Sequence, residues 1–430
     1  MLFKKLFEKS GLGKFISVPT AKNISTLMTG TVISAAIPIL TAPIMSRIFT
    51  ATDYGILGIY MSISGLIGVI AYSHYSQAIM LPKENSEARQ VLWFSLFLSA
   101  SASAIALIVF ICLFFFSDVI SDSSLKGWYF FIPLSIFLNG FNGVLITWAN
   151  RQQKYKQLSF NRVIQTVITA IVQIAIGLMI KNETGLMVGL ILGQLISVFL
   201  LLLVFLNSQE SGIGRPNITS FKKIAVKYKH LLIYGTPTEF INNLINQTPI
   251  FLLQKFAGTS YVGYYNFTQR LLGLPQMFLS SAIVDVFKQK ASYSYSHFGN
   301  CRDIFVKTFK ALSMIAVIPF LIIMLFAPPI FGFVFGQQWI TAGVFAQFLG
   351  IMFFFRFIVS PLSYVYILAN KLKEDFLLHL LFLGITTASF YISNYFFENK
   401  NLMIFFYACS YSLIYLIYLA RSYKFSKGNL

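Results

Sequence analysis

Apolar residues in this chain run in long stretches instead of alternating with polar ones. A membrane-crossing helix needs about 20 mainly apolar residues. Twelve runs meet that length, at 23–46, 54–81, 90–116, 127–149, 163–181, 184–206, 230–254, 261–285, 311–334, 342–369, 376–397 and 401–420. The pattern predicts an all-α integral membrane protein with about 12 transmembrane helices. Ahead of the first run, residues 1–22 mix Leu2, Phe3, Leu6 and Phe7 with Lys4, Lys5, Lys9 and Lys14. That mixture suits an amphipathic segment lying on the cytoplasmic membrane surface, not a cleavable leader.

Composition narrows the class further. The 430 residues are 57% hydrophobic and only 11% charged, where a soluble chain averages about 25% charged. So much apolar surface cannot be hidden inside a water-soluble globule, which excludes a soluble enzyme, a disordered chain and a collagen-like fibre. The net charge of +19 would suggest nucleic acid in a soluble protein. In a membrane protein it reports topology instead, because basic residues collect in cytoplasmic loops. With the amino terminus inside, 26 of the 33 basic residues fall in inner segments and five (Arg47, Lys126, Lys181, Lys255, Lys400) in outer ones. Both termini are therefore expected in the cytoplasm, with no nucleic-acid partner. The outer loops are too short to house chemistry, so no enzyme activity is expected. The longer basic connections near 207–229 and 286–310 suit anionic lipid headgroups. Cys112, Cys301 and Cys409 are too scattered for a disulfide framework or a metal site, and no cofactor is expected.

The chain divides into an N-terminal six-helix bundle (23–206), a cytoplasmic linker (207–229) and a C-terminal six-helix bundle with a short basic tail (230–430). The end of the first span places Arg47 eight residues before Gly55; the end of the seventh places Lys255 eight residues before Gly263. Ala149-Asn150-Arg151 follows the fourth span and Ala369-Asn370-Lys371 the tenth. Recurrence at matching topological positions indicates a duplicated unit. Six spans per unit make the repeat parallel, with a central cleft between bundles that rock to give alternating access. Pro38 and Pro43 in the first span answer to Pro237 and Pro249 in the seventh, where each can bend its helix.

Charge inside the hydrocarbon is costly and ordinarily faces a cavity or a partner. Glu239, Arg270 and Arg356 lie deep in the seventh, eighth and tenth spans, whereas Asp285 ends the eighth at the inner surface. Asn242, Asn243 and Asn246 follow Glu239 at helical spacing and make one polar face; Asn266 and Arg270 share another. One reading is an aqueous cavity with two guanidiniums and one carboxylate. The other is a structural pair of Glu239 with Arg270 or Arg356. A surplus guanidinium suits a phosphate or pyrophosphate, which arginine grips with paired donors. The candidate substrate-binding residues are therefore Arg270, Arg356, Asn242, Asn246 and Asn266, with Glu239 the candidate for coupling to a proton or sodium gradient. Gly185, Gly189 and Gly193 form a small-residue ridge for close helix packing, and His74 and His379 read as structural histidines.

Certain short blocks add a family resemblance. They are Pro43-Ile44-Met45-Ser46-Arg47 with Asp53-Tyr54-Gly55, Arg151-Gln152-Gln153-Lys154-Tyr155-Lys156, Phe335-Gly336-Gln337-Gln338-Trp339 and Pro361-Leu362-Ser363. In that order and placement the chain resembles the polysaccharide-unit (O-antigen) flippases of the multidrug/oligosaccharidyl-lipid/polysaccharide (MOP) exporter superfamily. The resemblance implies a bacterial inner-membrane protein that moves an undecaprenyl-pyrophosphate-linked oligosaccharide to the outer leaflet, alongside the polysaccharide polymerase and chain-length machinery. It also implies cationic residues meeting the anionic headgroup, a role Arg270 and Arg356 can fill although the blocks do not include them. The alternatives are an ion-coupled multidrug or small-molecule extruder of the same superfamily and a membrane-embedded polysaccharide polymerase or ligase.

Overall fold

The computed structural model describes residues 18–72, 75–116, 125–207 and 218–428. The amphipathic segment expected at 1–22 lies almost wholly outside the described residues, as do His74 and the first part of the linker. Six long helices make the first half: α1 (Val18–Ile48), α2 (Ala51–Tyr72), α3 (Asn85–Phe116), α4 (Ile132–Arg151), α5 (Tyr155–Ile180) and α6 (Glu183–Leu206). A short linker helix, α7 (Ile218–Lys227), leads to the second half. That half holds α8 (Thr236–Phe256), α9 (Thr259–Leu272), α10 (Leu274–Phe298), α11 (Arg302–Phe335), α12 (Ile340–Leu362), α13 (Leu372–Phe396) and α14 (Asn401–Ser426).

Local chemistry sets the breaks. Between α1 and α2 the Thr50 amide donates to the Asp53 carboxylate at 2.8 Å and the Asp53 amide to the Thr50 hydroxyl at 3.3 Å, a reciprocal capping box. Between α5 and α6, Lys181 takes a left-handed φ of 54° and the Asn182 side chain accepts from the Thr184 amide at 3.0 Å. Gly258, with φ 91°, makes the corresponding turn before α9, a conformation glycine adopts without strain.

Ten helices are long and apolar enough to cross a bilayer among the described residues. The two expected spans that fall short are the seventh and eighth, which are the ones rich in Asn, Gln and charge. The eighth differs most from expectation. Its helix breaks at Gly273, ahead of Pro275 in the first turn of α10, and α10 then continues to Phe298 through the segment read as loop. Proline removes the donor that would have joined the two helices. Hydropathy marks where a helix leaves lipid, not where it ends. Exposed apolar side chains such as Leu40, Phe116, Met179 and Phe333 clothe the other helices, as a multi-pass membrane protein requires.

Helices α1–α6 pack chiefly on one another, as do α8–α14, and the two lobes meet mainly where α2 lies along α8 and α9. This contact follows the repeat. A Cβ on Gly55 would lie 2.0 Å from the Thr259 carbonyl oxygen, and one on Gly263 would lie 1.6 Å from that of Ala51. Gly263 stands 208 residues after Gly55 and Thr259 stands 208 after Ala51, so each lobe offers the other the same glycine and the same carbonyl. Thr52 and Ser260, again 208 apart, share a hydrogen bond of 2.9 Å. Only glycine allows backbones to approach this closely. Within the first lobe, Gly185, Gly189 and Gly193 bring α6 against α5 in the same way, with Gly177, Gln173 and Thr169 filling the space a Cβ would need.

The linker helix docks on the first lobe. Phe221 lies 5.4 Å from the Phe94 ring, Lys227 pairs with Glu87, and the Tyr228 hydroxyl donates to Glu87 at 3.0 Å. Far from the linker, the Trp339 indole donates to the Ser46 carbonyl at 2.8 Å and stacks on Phe267 with centroids 4.1 Å apart.

Candidate functional site

Helix α8 keeps its polar face. The Asn243 amide turns back to the Glu239 carbonyl at 3.4 Å and the Asn246 amide to the Asn242 carbonyl at 2.8 Å, so one face stays polar while Ile245 is buried. That face opens into a cavity of about 480 Å³ within the second lobe, lined by Asn242, Asn246, Lys288, Arg356, Tyr411 and Tyr415 among others. Arg356 stands six residues before the end of α12, about 9 Å along the helix. Its guanidinium lies 5.9 Å from the Phe353 ring centroid and within electrostatic reach of the hydroxyls of Tyr265, Tyr407, Tyr411 and Tyr415. Among the described residues it is paired with no carboxylate. A half-buried guanidinium without an acid leaves its donors directed at whatever enters the cavity.

Arg270 lies elsewhere. It is eleven residues into α9, about 17 Å from the turn at Gly258. It is exposed on the seam between the lobes, in a narrow slot with Thr41 and Met45 of α1 and Thr166 and Gln173 of α5. It too is paired with no carboxylate among the described residues. Asn266, one turn earlier, donates to the Tyr54 carbonyl at 3.4 Å and abuts Gly58. Its amide is thus spent on packing α9 against α2, although the spacing puts it on the face of Arg270.

Glu239 sits exposed in the first turn of α8, in a wider recess of about 1000 Å³ with Lys373, Asp375 and His379 of α13. Neither arginine is its ion-pair partner. Asn242, Asp375 and His379 line both this recess and the Arg356 cavity, so the two spaces adjoin. The structure therefore gathers Arg356, Asn242 and Asn246 into one cavity with Glu239 next door, and leaves Arg270 and Asn266 on the lobe interface.

Three features of this cavity escape hydropathy analysis. Lys288, assigned to a loop, is carried into the cavity wall by the continuation of α10 and lies 5.4 Å from the Tyr364 ring. Asp375, His379 and Tyr418 form a cluster, the Tyr418 hydroxyl donating to Asp375 at 3.0 Å and lying 2.8 Å from His379 Nδ1. The third is a tyrosine face on α14. Its signal was present in the spacing of Tyr407, Tyr411, Tyr415 and Tyr418, hidden among the many aromatic residues of the chain.

Residues 44–344 match the family described as polysaccharide biosynthesis protein. The chain belongs to this family. No curated protein matches it in sequence. Solved structures show what fold this polysaccharide biosynthesis family member has. An inward-facing multidrug-resistance MATE transporter of the MOP superfamily is similar at a TM-score of 0.64 and 13% identity, covering 93% of this chain and 96% of that one. An outward-facing transporter of the same description gives 0.56 and 13%, covering 93% and 94%. A MOP-superfamily transporter from Pyrococcus furiosus, described as having a binding pocket of reverse polarity, gives 0.56 and 14%, covering 93% and 94%. The family member thus has the fold of the MOP-superfamily transporters.

Proposed function

We propose that this protein is a flippase that carries an undecaprenyl-pyrophosphate-linked oligosaccharide from the inner to the outer leaflet of a bacterial inner membrane. The observation that carries the reading is Arg356, which lines a 480 Å³ cavity with Lys288, Asn242 and Asn246 and has no carboxylate partner among the described residues. A pyrophosphate supplies the missing anion, and each charge-assisted hydrogen bond it receives contributes about 1.5–3 kcal/mol. The polyprenyl tail stays in lipid while the headgroup and sugars occupy the polar interior.

Alternating access has a physical basis in the lobe contact. The linker face is taken as cytoplasmic, from the distribution of Lys and Arg. Cross-lobe hydrogen bonds run from the face away from it, at Thr52–Ser260 and Trp339–Ser46, to mid-helix, at Ser62–Gln247. In this arrangement the outer side is closed, and Arg270 lies exposed on the seam at about the depth of Ser62, eleven residues into its helix. The higher similarity to an inward-facing relative in fold is in keeping with such a state. Glu239, beside Lys373, Asp375 and His379, takes the coupling role. The oligosaccharide polymerase and chain-length machinery would receive the product outside.

The test is surface polysaccharide in cells carrying Arg356→Ala or Arg270→Ala. Both variants are expected to reach the membrane and to lose surface polysaccharide while lipid-linked units accumulate inside. Normal polysaccharide in both would overturn the reading, and a loss of dye or drug resistance without any polysaccharide defect would favour the extruder.

A further inference from the structure

Helix α14 carries Tyr407, Tyr411, Tyr415 and Tyr418 at steps of four, four and three, which places four phenols on one helix face. Tyr411 and Tyr415 stack with centroids 5.0 Å apart and planes within 12°. With Tyr418 they form one wall of the 480 Å³ cavity, which Arg356, Lys288 and Asn246 also line. A buried hydroxyl ordinarily finds a partner. Tyr366 lines the same cavity and is only 1% exposed, yet its hydroxyl has none among the described residues. Tyr415, by contrast, is half-buried and lines the cavity.

The chemistry of the two sides differs. A sugar ring presents C–H faces that pack on aromatic rings and a rim of hydroxyls that need donors and acceptors. A phosphate needs cations. This cavity places the tyrosine wall and the amides of Asn242 and Asn246 beside Arg356 and Lys288. The carboxylate that also lines it, Asp375, already accepts from Tyr418 at 3.0 Å. A volume of 480 Å³ falls within the range of small-molecule sites, about 300–1,000 Å³. It takes a phosphorylated sugar, not a whole oligosaccharide, and the adjoining 1000 Å³ recess accepts the remainder.

We propose that the tyrosine wall of α14 reads the first sugar of the cargo, which stacks on Tyr415, itself backed by the buried Tyr411 ring, while its phosphate meets Arg356 and Lys288. The inference rests on the flippase reading and adds where sugar selectivity resides. It assigns the Asn246 amide to the sugar's hydroxyl rim.

Calorimetric titration of the purified protein in nanodiscs tests it, with three probes: citronellyl pyrophosphate bare, carrying galactose, and carrying N-acetylglucosamine. Wild-type protein is expected to bind at least one sugar-bearing probe about tenfold more tightly than the bare lipid. Tyr415→Ala should abolish that advantage and leave bare-lipid affinity unchanged, whereas Tyr415→Phe should keep most of it. If Tyr415→Ala does not fold, Tyr415→Leu, which keeps the bulk and removes the aromatic face, must show the same selective loss. An advantage that survives these variants, an equal loss for all probes, or a wild type indifferent to the sugar overturns the inference and leaves the flippase reading standing. A wild type that binds none of the three overturns the flippase reading as well.

Discussion

Gly263→Ala attacks the lobe contact at one atom. The added Cβ would sit 1.6 Å from the Ala51 carbonyl oxygen, where ordinary contact begins at 3.4 Å. The obstructing group is backbone, so no rotamer relieves it and the lobes must part by nearly two ångströms at that point. Overpacking of this kind costs about 1–3 kcal/mol, and 1.4 kcal/mol is about a factor of ten. The closed arrangement of this face should therefore become roughly five- to 150-fold less favourable relative to the open one. Thr52 and Ser260 supply the reporter, since their hydroxyls are 2.9 Å apart when the face is closed. In a background with Cys112, Cys301 and Cys409 replaced, Thr52→Cys with Ser260→Cys should form a disulfide readily in membranes. Adding Gly263→Ala should slow bridging at least fivefold. Gly384→Ala, at a site with nothing within 4 Å, should leave it unchanged. Equal bridging rates in the Gly263→Ala and parent proteins, with both folded, would show that the reciprocal glycine contact does not govern closure.

Other expectations follow from single groups. Trp339→Phe removes the indole donor to Ser46, but Gln338 still donates to that carbonyl at 2.6 Å. The loss should then be near the usual 0.5–1.5 kcal/mol for one hydrogen bond, read as a two- to tenfold fall in the same bridging assay. Glu239→Gln should weaken ion-driven transport in proteoliposomes, and an unchanged ion dependence would remove its coupling role. Cys301, outside the spans and 1% exposed, has a thiol that burial pushes up to about 11. The folded state holds that proton more tightly than the unfolded chain, so its contribution to stability is present below the ordinary thiol range near 9 and declines as pH rises towards 11. Maleimide should label it slowly at neutral pH until the protein is unfolded; rapid labelling of native protein would contradict its burial.

Much of this architecture was legible because lipid imposes a simple rule. Runs of about 20 apolar residues must be helices, and a duplicated unit repeats its turn residues. Arg47/Gly55 and Lys255/Gly263 announced the repeat, and the structure shows the reason: the glycines are where backbones cross. Legibility fails where a helix leaves the membrane: hydropathy reads the end of α10, with Lys288, as loop. It fails again at the cavity wall. Depth and polarity singled out Arg356, Asn242 and Asn246 together, but nothing in one dimension separates an arginine inside a lobe from one on the seam. The sequence therefore permits a single chamber for Arg270 and Arg356, whereas the structure places them in two spaces. The tyrosines of α14 do not stand out in the sequence because aromatic residues in a membrane helix are by default lipid-facing, and only packing reveals which face turns inward.

The account turns on Arg356 as the group that receives the cargo's pyrophosphate. Its most direct measurement is translocation of a lipid-linked oligosaccharide across proteoliposomes, followed by accessibility of the sugar to an impermeant lectin, for wild-type protein and Arg356→Ala. Loss of paired charge-assisted donors, about 1.5–3 kcal/mol each, predicts at least a tenfold fall in rate with reconstitution and melting temperature unchanged. Translocation by the variant at the wild-type rate would contradict the account.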